Sequence, residues 1–370
     1  MSQTKVEAPF IQRNEIFRNK FCNGDFQVHQ RFDGSATAAS TAYMSFDRIK
    51  TLLINTGAAW TVEKETLSVT DLATTGHKQA LEVKCTTADT STGAAEYNAV
   101  FFSLEANSMQ DLNYGTSAAK SLTVSFWVRS YQTGTFVLTA AKSDSTTYYN
   151  PKEYTINASN TWEHKVLTFS PTAGGTSLIT SSNGVINNDN GQGMHFYFML
   201  NAGSNYHATN DTWATSGIAT SNQTNMMSST DNHWSITGLQ IETGDQATDF
   251  EYLPFDVQLR RCERYYQIMQ EGNNMPLGLC AYYSSSQISI HFPYRTTMRT
   301  TGSLVVPTVS NGYIVYRNSG TDSFDDVALG QLTEYSLEVY NNSDMSGTAG
   351  QTGYARLANA SSYIAVDAEF

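Results

Sequence analysis

Apolar residues recur at every second position in many short segments of this 370-residue sequence. In LTVSFWVRS, for example, Val124, Phe126 and Val128 alternate with more polar neighbours, which is typical of a strand with one buried face. The alternation in WSITGLQIE changes phase at Gly238, and a β-bulge there would restore the register. Gly-, Ser-, Thr- and Asn-rich turns separate these segments, and no alternation of strands with long helices is seen. The pattern predicts an all-β fold that begins with a jelly-roll sandwich.

The alternation resumes after Gly272 in QISIHFPYR, GYIVYR and YSLEVY, which predicts a smaller C-terminal β-sandwich. Between the two sandwiches, DVQLRRCERYYQIMQ carries apolar residues at steps of three or four, the spacing of an amphipathic helix. A further helical turn or two is predicted in SFDRIKTLL. The expected organisation is an N-terminal arm, a jelly roll, a short connector helix and a C-terminal β domain, at residues 1–20, 21–255, 256–272 and 273–370.

Charge and targeting signals limit the expected partners. The formal net charge is −12, and only 15% of residues are charged, which argues against binding to nucleic acid or to anionic membranes. The opening segment MSQTKVEAPFIQRNEIF lacks the apolar run of a secretory signal, and no stretch approaches 18 apolar residues, so membrane insertion is not expected. The four cysteines are far apart in the sequence and form no CxxC pair, so we expect them to be free thiols in a protein that is made in a reducing cytosol.

The sequence shows no constellation that would carry catalysis. It contains no G-x-S-x-G elbow, no phosphate-binding loop and no HExxH motif. Its 34 acidic residues include no recognisable pair of the kind that glycosidases use. We therefore expect a protein that is not an enzyme and that requires no cofactor.

Aromatic residues outside the core pattern are candidates for a glycan-binding surface. Sugar rings stack on flat aromatic side chains, and their hydroxyl groups bind to amides and carboxylates. Trp127 lies on the polar side of its strand, and Tyr131, His195 and Tyr197 are expected to share that face. Tyr206 and Trp213 fall in the long loop from Ala202 to Asp231. The glycan candidates are Trp127, Tyr131, Tyr197, Tyr206 and Trp213, with burial under a loop or in a subunit contact as the alternative.

An ordered set of motifs resembles bacteriophage tail-fibre-like and other virion structural proteins. The segments, in chain order, are FRNKFCNGDFQVHQRF, MSFDRIKTL, SFWVRSYQTGTF, NTWEHKVLTF, ITGLQIETGDQATDFEYLPF, RRCERYYQ and FPYRTTMRTTGSLVV. The resemblance runs from about Phe17 onward, and it departs from the family pattern at Ile49, where Trp is common, and at Gly302, where Pro is common.

The resemblance implies a jelly roll of the carbohydrate-binding-module type followed by a small β domain, in a homotrimeric virion component. It also implies a structural calcium ion where the first and last strands meet, with Asp25 and Glu242 as candidate ligands. We expect a tail-fibre or receptor-binding subunit, assembled in the host cytoplasm, that contacts other virion proteins through the N-terminal arm and recognises a host surface glycan. The alternatives are a capsid decoration or head-fibre protein, the carbohydrate-binding module of a secreted hydrolase, and a depolymerase tailspike, although the tailspike would require a long β-helix and an acid pair.

Overall fold

The computed structural model describes residues 17–318 and 320–370 and confirms an all-β chain with two lobes. The first lobe holds helix α1 (Val69–Thr75) and strands β1 Thr37–Ala38, β2 Ala42–Tyr43, β3 Lys50–Ile54, β4 Ala59–Thr66, β5 Gln79–Thr87, β6 Tyr97–Glu105, β7 Leu122–Ser130, β8 Gly134–Lys142, β9 Tyr148–Ile156, β10 Glu163–Phe169, β11 Gln192–Ala202 and β12 His233–Thr243. Short 3-10 helices lie at Ala106–Leu112, Ala173–Gly175, Ser182–Gly184, Ser204–Tyr206 and Met226–Ser228.

The second lobe follows helix α2 (Phe255–Glu263) and holds strands β13 Tyr266–Glu271, β14 Pro276–Tyr282, β15 Ile288–Pro293, β16 Ser303–Val305, β17 Tyr313–Arg317, β18 Gly320–Phe324, β19 Ala328–Leu332, β20 Ser336–Asn341, β21 Thr352–Leu357 and β22 Tyr363–Asp367. In the part of the chain that the structure describes, no helix has the length and apolar character needed to cross a membrane.

Two six-stranded antiparallel sheets face each other in the first lobe. The first sheet has the order β1-β4-β5-β12-β7-β10, and the second has the order β2-β3-β6-β11-β8-β9. Their inward side chains form one core that includes Trp60, Phe102, Phe126, Phe196 and Trp234. This arrangement confirms the predicted jelly-roll sandwich, and the alternation of the strands follows from the burial of one face of each sheet.

The predicted bulge in β12 is confirmed. The pairing of β12 with β7 shifts register between Thr237 and Gln240, and Gly238 has a φ of 63°. Such a left-handed backbone favours glycine, and the extra residue returns Ile241 to the core side of the strand.

The second lobe packs a seven-stranded sheet, β18-β17-β21-β14-β15-β20-β19, with a three-stranded sheet, β13-β22-β16. Its separate core draws residues from Leu277 to Ala368 and includes Tyr282, Tyr313 and Leu337. The last strand, β22, is the central strand of the small sheet, so its hydrogen-bonding groups are paired on both sides.

The predicted connector helix over residues 256–272 is only partly correct. Helix α2 ends at Glu263, and Tyr266–Glu271 forms β13, which pairs with β22 almost one hundred residues later. The three-residue spacing of Tyr266 and Met269 fits a helix, but the strand has a register shift between Ile268 and Gln270, and pairing with the distant β22 decides its conformation. The helix packs on the first lobe, where Cys262 joins a small cluster with Cys22 and Val28.

Two further predictions concern the N-terminal part of the chain, a short helix and an N-terminal arm. The segment SFDRIKTLL is not helical, because Phe46 and Asp47 lie in a turn that leads into β3. Most of the predicted arm, residues 1–16, lies outside the described residues. Its last residues are fixed to the sandwich, since Lys20 donates its backbone N–H to the carbonyl of Ile241 and Asn19 is buried.

Buried charge joins the two lobes. Arg48 of the first lobe is 1% exposed and forms an ion pair with Glu369, next to the last strand of the second lobe. The guanidinium also donates to the carbonyl of Ser103 at 2.6 Å and lies 3.3 Å from the ring centroid of Tyr265. A second cation of the first lobe, Arg31, lies 3.5 Å from the same Glu369 carboxylate.

Candidate functional site

The outer face of the second sheet of the first lobe carries a cluster of aromatic side chains. On β6 and β11, the residues Phe102 and Phe196 point into the core, so Phe101, His195 and Tyr197 point away from it. The strand register sets Phe101 directly opposite Tyr197. Tyr149 on β9 lies in the same row as His195, because both strands pair with Ala141 of β8. We call Tyr97, Phe101, Tyr149, His195 and Tyr197 the aromatic face.

The rings of the aromatic face are close enough to form one surface. The ring centroids of Phe101 and Tyr197 are 5.0 Å apart, and those of His195 and Tyr197 are 5.2 Å apart with an interplanar angle of 85°. The ring of Tyr149 lies 6.2 Å from that of His195. Between these rings, β8 contributes the small residues Thr139 and Ala141, both of which are buried, and the Thr139 hydroxyl donates to the carbonyl of Ile218 in the long loop. The result is a mixed apolar and polar floor of the kind on which a sugar ring can stack.

His195 has an unusual position in this surface. It is 7% exposed, and within the described residues neither of its ring nitrogens has a hydrogen-bond partner. Burial lowers the pKa of His195 to about 4, so the ring is neutral at pH 7 and offers one donor and one acceptor. Buried polar groups are normally hydrogen-bonded, and those of His195 would be satisfied by a polar ligand or water on the aromatic face.

The tyrosine hydroxyl groups add further hydrogen-bonding capacity. Burial raises the pKa values of Tyr97, Tyr149 and Tyr197, so each phenol stays protonated near neutral pH and can both donate and accept. In the described part of the chain, these three hydroxyl groups make no hydrogen bond to a protein atom, whereas the Tyr206 hydroxyl donates to the carbonyl of Ala95 at 3.4 Å. The aromatic face therefore combines apolar rings with unpaired polar atoms.

The long loop between β11 and β12 folds over one side of this sheet. Tyr206 packs edge-on against Tyr97 with a ring distance of 4.7 Å, and Ile218 is buried over Val137. The loop is fixed at its middle, because Ala214 and Tyr149 exchange two backbone hydrogen bonds of 2.8 and 2.9 Å. The loop thus forms a wall beside the aromatic face, which gives a physical reason for its length.

A polar pocket of about 370 Å³ lies where this wall meets the edge of the sheet. It is lined by Glu153, His207, Asn210, Thr220 and Asn222, among others. Glu153 is four residues from Tyr149 on the same face of β9, which corresponds to about 13 Å along the strand. A carboxylate and amides are therefore within reach of a ligand that extends along the strand from the aromatic face.

The structure separates the predicted glycan residues between two opposite sheets. Trp127 lies on the outer face of the first sheet, packed in a cluster with Leu67, Ala80 and Trp162. Tyr131 follows that strand, is 44% exposed and has its ring 5.8 Å from that of His233. The expectation that His195 and Tyr197 share the face of Trp127 is therefore wrong, because β7 and β11 belong to different sheets, whereas Tyr131 directly follows the strand of Trp127.

Trp213 is the clearest correction among the predicted residues. It is 1% exposed, and its indole N–H donates to the carbonyl of Ser170 at 2.8 Å. The long loop folds inward at this residue and adds it to the main core, so the ring cannot serve as a platform on the surface. Tyr206, from the same loop, does lie beside the aromatic face.

The two predicted calcium ligands belong to separate hydrogen-bond networks. The Asp25 carboxylate accepts hydrogen bonds from the side chains of Gln27 and Gln258. The Glu242 carboxylate accepts from the backbone and hydroxyl of Thr248, and Arg18 lies 3.7 Å away. Hydrogen-bond donors and a cation do not fit a calcium ion at Glu242. Across residues 17–318 and 320–370, no group of three His, Cys, Asp or Glu side chains is placed to hold a metal.

Sequence reasoning missed Tyr97, Phe101 and Tyr149. Tyr149 lies between the buried residues Tyr148 and Asn150, so its outward direction follows a period-two pattern. All residues of β6 after Tyr97 are buried, so no such pattern marks Phe101. What the sequence does not show is that β6, β11, β8 and β9 are neighbours in one sheet, since these strands are far apart in the chain.

No protein-family model and no curated protein matches this sequence. Among solved structures, the chain is similar to a Bacteroides thetaiotaomicron protein named for sugar binding, at 8% identity and a TM-score of 0.33 over 61% of this chain and 99% of that one. It is also similar to the enzymatically active domain of tailspike protein 4 of bacteriophage CBA120, at 10% identity and a TM-score of 0.29 over 61% of this chain and 21% of that one. The CBM22-1 xylan-binding domain of Xyn10C from Paenibacillus barcinonensis gives 12% identity and a TM-score of 0.28 over 58% of this chain and 97% of that one. These likenesses are distant and assign the chain to no family.

Proposed function

We propose that this chain is a non-enzymatic structural protein of a bacteriophage particle, a tail-fibre or receptor-binding subunit whose first lobe binds a host surface glycan. The glycan lies on the aromatic face, with its apolar faces on Tyr149 and Tyr197 and a hydroxyl group on His195. The observation that carries the binding proposal is the buried His195 ring, which has two unpartnered nitrogens among half-buried aromatic rings. The virion role is supported by the ordered sequence motifs.

Binding is tested first with an array of bacterial surface and plant polysaccharides, followed by calorimetry on the best ligand. Replacing Tyr149 or Tyr197 by Ala removes a stacking ring, and we expect each variant to bind at least about tenfold more weakly, equivalent to about 1.4 kcal/mol. Tyr335→Ala is the matched control, because Tyr335 is 67% exposed on the second lobe. Unchanged affinity in both aromatic-face variants, or an equal loss in the control, would show that the glycan binds elsewhere.

The non-enzymatic part of the proposal has its own test. The bound polysaccharide is incubated with the protein, and new reducing ends are measured over time. We expect reducing ends to form no faster than in a control incubation without the protein. Release of oligosaccharide would favour a depolymerase and overturn this part of the proposal.

The virion role is tested on purified particles. We expect mass spectrometry to detect the chain in the particle and sedimentation of the isolated protein to give a homotrimer. If the chain is attached to the head, it is a decoration or head-fibre protein. The alternative, the carbohydrate-binding module of a secreted hydrolase, would be favoured if the protein is a monomer, is absent from particles and is secreted together with a glycoside hydrolase. Such a module would use the same aromatic face.

A further inference from the structure

A second concave site lies on the side of the first lobe that carries the first sheet, away from the aromatic face. It is a pocket of about 400 Å³ lined by residues that include Asp25, Gln27, His77, Gln79 and Tyr252. These residues come from the N-terminal segment, from the α1–β5 connection and the first residue of β5, and from the segment after β12. All of them belong to the part of the lobe built on the first sheet, so the two sites are independent of each other.

Local sequence signals place His77 at this pocket. Helix α1 begins with a capping box between Ser68 and Asp71 and ends at Gly76, whose φ of 81° reverses the chain. His77 then packs edge-on against Phe250 with a ring distance of 4.7 Å. The bulge in β12 leaves room for the imidazole, because a Cβ at Gly238 would lie 2.5 Å from the His77 Nε2 atom.

Two buried polar atoms of the pocket residues have no partner. Asp25 is 3% exposed, and its Oδ2 atom accepts hydrogen bonds from Gln27 and Gln258 while Oδ1 has none within the described residues. His77 is also 3% exposed, and its Nδ1 atom likewise has no partner in that part of the chain. Burial raises the pKa of Asp25 and lowers that of His77 to about 4. Unpaired polar atoms at this depth are uncommon in folded proteins and call for a ligand or water.

The polar atoms that remain available include both acceptors and donors. One side-chain N–H of Gln27 donates to Asp25 and one of Gln79 donates to the carbonyl of Phe26, so the second N–H and the amide oxygen of each are left for a ligand. The pocket lining also includes Lys78, so one ammonium group accompanies the acid side chain and the two amides. This set has no excess of positive charge, and its mixed donors and acceptors favour a neutral ligand with several hydroxyl groups. Tyr252, which is 59% exposed, adds an aromatic wall, and its hydroxyl group is held by the carbonyl of Gly76 at 2.9 Å.

We propose that this pocket binds a single sugar residue of a neutral glycan. A ring hydroxyl donates to Asp25 Oδ1, further hydroxyl groups bind the amide oxygens of Gln27 and Gln79, and the C–H face of the sugar stacks on Tyr252. A volume of about 400 Å³ accommodates one sugar ring. The first lobe would then have two sugar sites, and a branched or long polysaccharide could engage both in one protein copy.

The test uses glucose, galactose, mannose and N-acetylglucosamine as probes in calorimetry and saturation-transfer NMR with the full chain. We expect at least one of them to bind, Tyr252→Ala to weaken that binding at least tenfold, and Tyr252→Phe to retain it. Asp25→Asn should also weaken binding, with its folding checked by circular dichroism because Asp25 is buried. If Asp25→Asn does not fold, the Tyr252 variants decide the result.

Tyr197→Ala separates this site from the aromatic face. We expect that variant to bind the monosaccharide as the wild type does, whatever its effect on polysaccharide binding. The proposal is overturned if none of the four sugars binds at millimolar concentration, if Tyr252→Ala binds as tightly as the wild type, or if Tyr197→Ala abolishes monosaccharide binding.

Discussion

The buried ion pair between Arg48 and Glu369 should be a main determinant of how the two lobes are held together. The side chains of Arg48 and Glu369 are 1% and 3% exposed. Among the described residues, Arg48→Met leaves this buried carboxylate with Arg31, 3.5 Å away, as its remaining ion-pair partner. Removing one partner of a buried ion pair costs about 3–5 kcal/mol, because the remaining charge is desolvated without compensation. The same substitution also removes the guanidinium donor to the Ser103 carbonyl.

Urea unfolding can measure this effect in each lobe separately. All five tryptophans lie in the first lobe, so tryptophan fluorescence reports that lobe, whereas far-ultraviolet circular dichroism reports both lobes. We expect Arg48→Met to lower the unfolding free energy by about 3–5 kcal/mol and to separate the two transitions. The double variant Arg48→Met/Glu369→Gln should lose less than Arg48→Met alone, because it leaves no unpaired carboxylate.

The control is the pair of Lys20 and Asp111, whose side chains are 10% and 52% exposed, so the acid that is replaced is half-exposed. Asp111→Asn should change the unfolding free energy by less than about 1 kcal/mol. The reasoning fails if Arg48→Met unfolds at the wild-type urea midpoint, or if the double variant is less stable than the single one.

Three further predictions concern the core, the pH dependence and metal. Trp213→Ala should lower the unfolding free energy by about 3–5 kcal/mol, since a buried ring is lost, and a change below 1 kcal/mol in urea unfolding would contradict its place in the core. The folded state holds the pKa of His195 near 4, below its unfolded value, so this group binds fewer protons when the protein is folded, and the unfolding free energy falls as pH falls from 6.5 to 4. His195→Gln should reduce that loss of stability in unfolding measurements across this pH range. An unchanged pH profile in the variant would contradict the prediction. Because the surroundings of Glu242 do not fit calcium, EDTA should leave the melting temperature unchanged, and a clear decrease that calcium reverses would restore the calcium prediction.

Local patterns predicted much of the first lobe. The alternation in β7 and β12 correctly gave their buried faces, and the phase change at Gly238 correctly gave the bulge. These features depend on residues that are adjacent in sequence, so the sequence carries them directly.

Features that depend on distant pairing were not predictable in the same way. The strand Tyr266–Glu271 was expected to be helical, and only its pairing with β22 makes it a strand. The candidate site shows the same limit, because the outward direction of Tyr197 follows from alternation but its position beside Tyr149 follows from the order of strands in the sheet. Trp213 was misplaced because a loop rich in polar residues gives no periodic signal of which side chain turns inward.

A crystal structure of the chain with the oligosaccharide identified on the polysaccharide array would test the central claim most directly. We predict sugar rings stacked on Tyr149 and Tyr197, with a hydroxyl group within hydrogen-bonding distance of a His195 ring nitrogen. An oligosaccharide bound instead beside Trp127 on the opposite sheet, with the aromatic face empty, would contradict the proposed site.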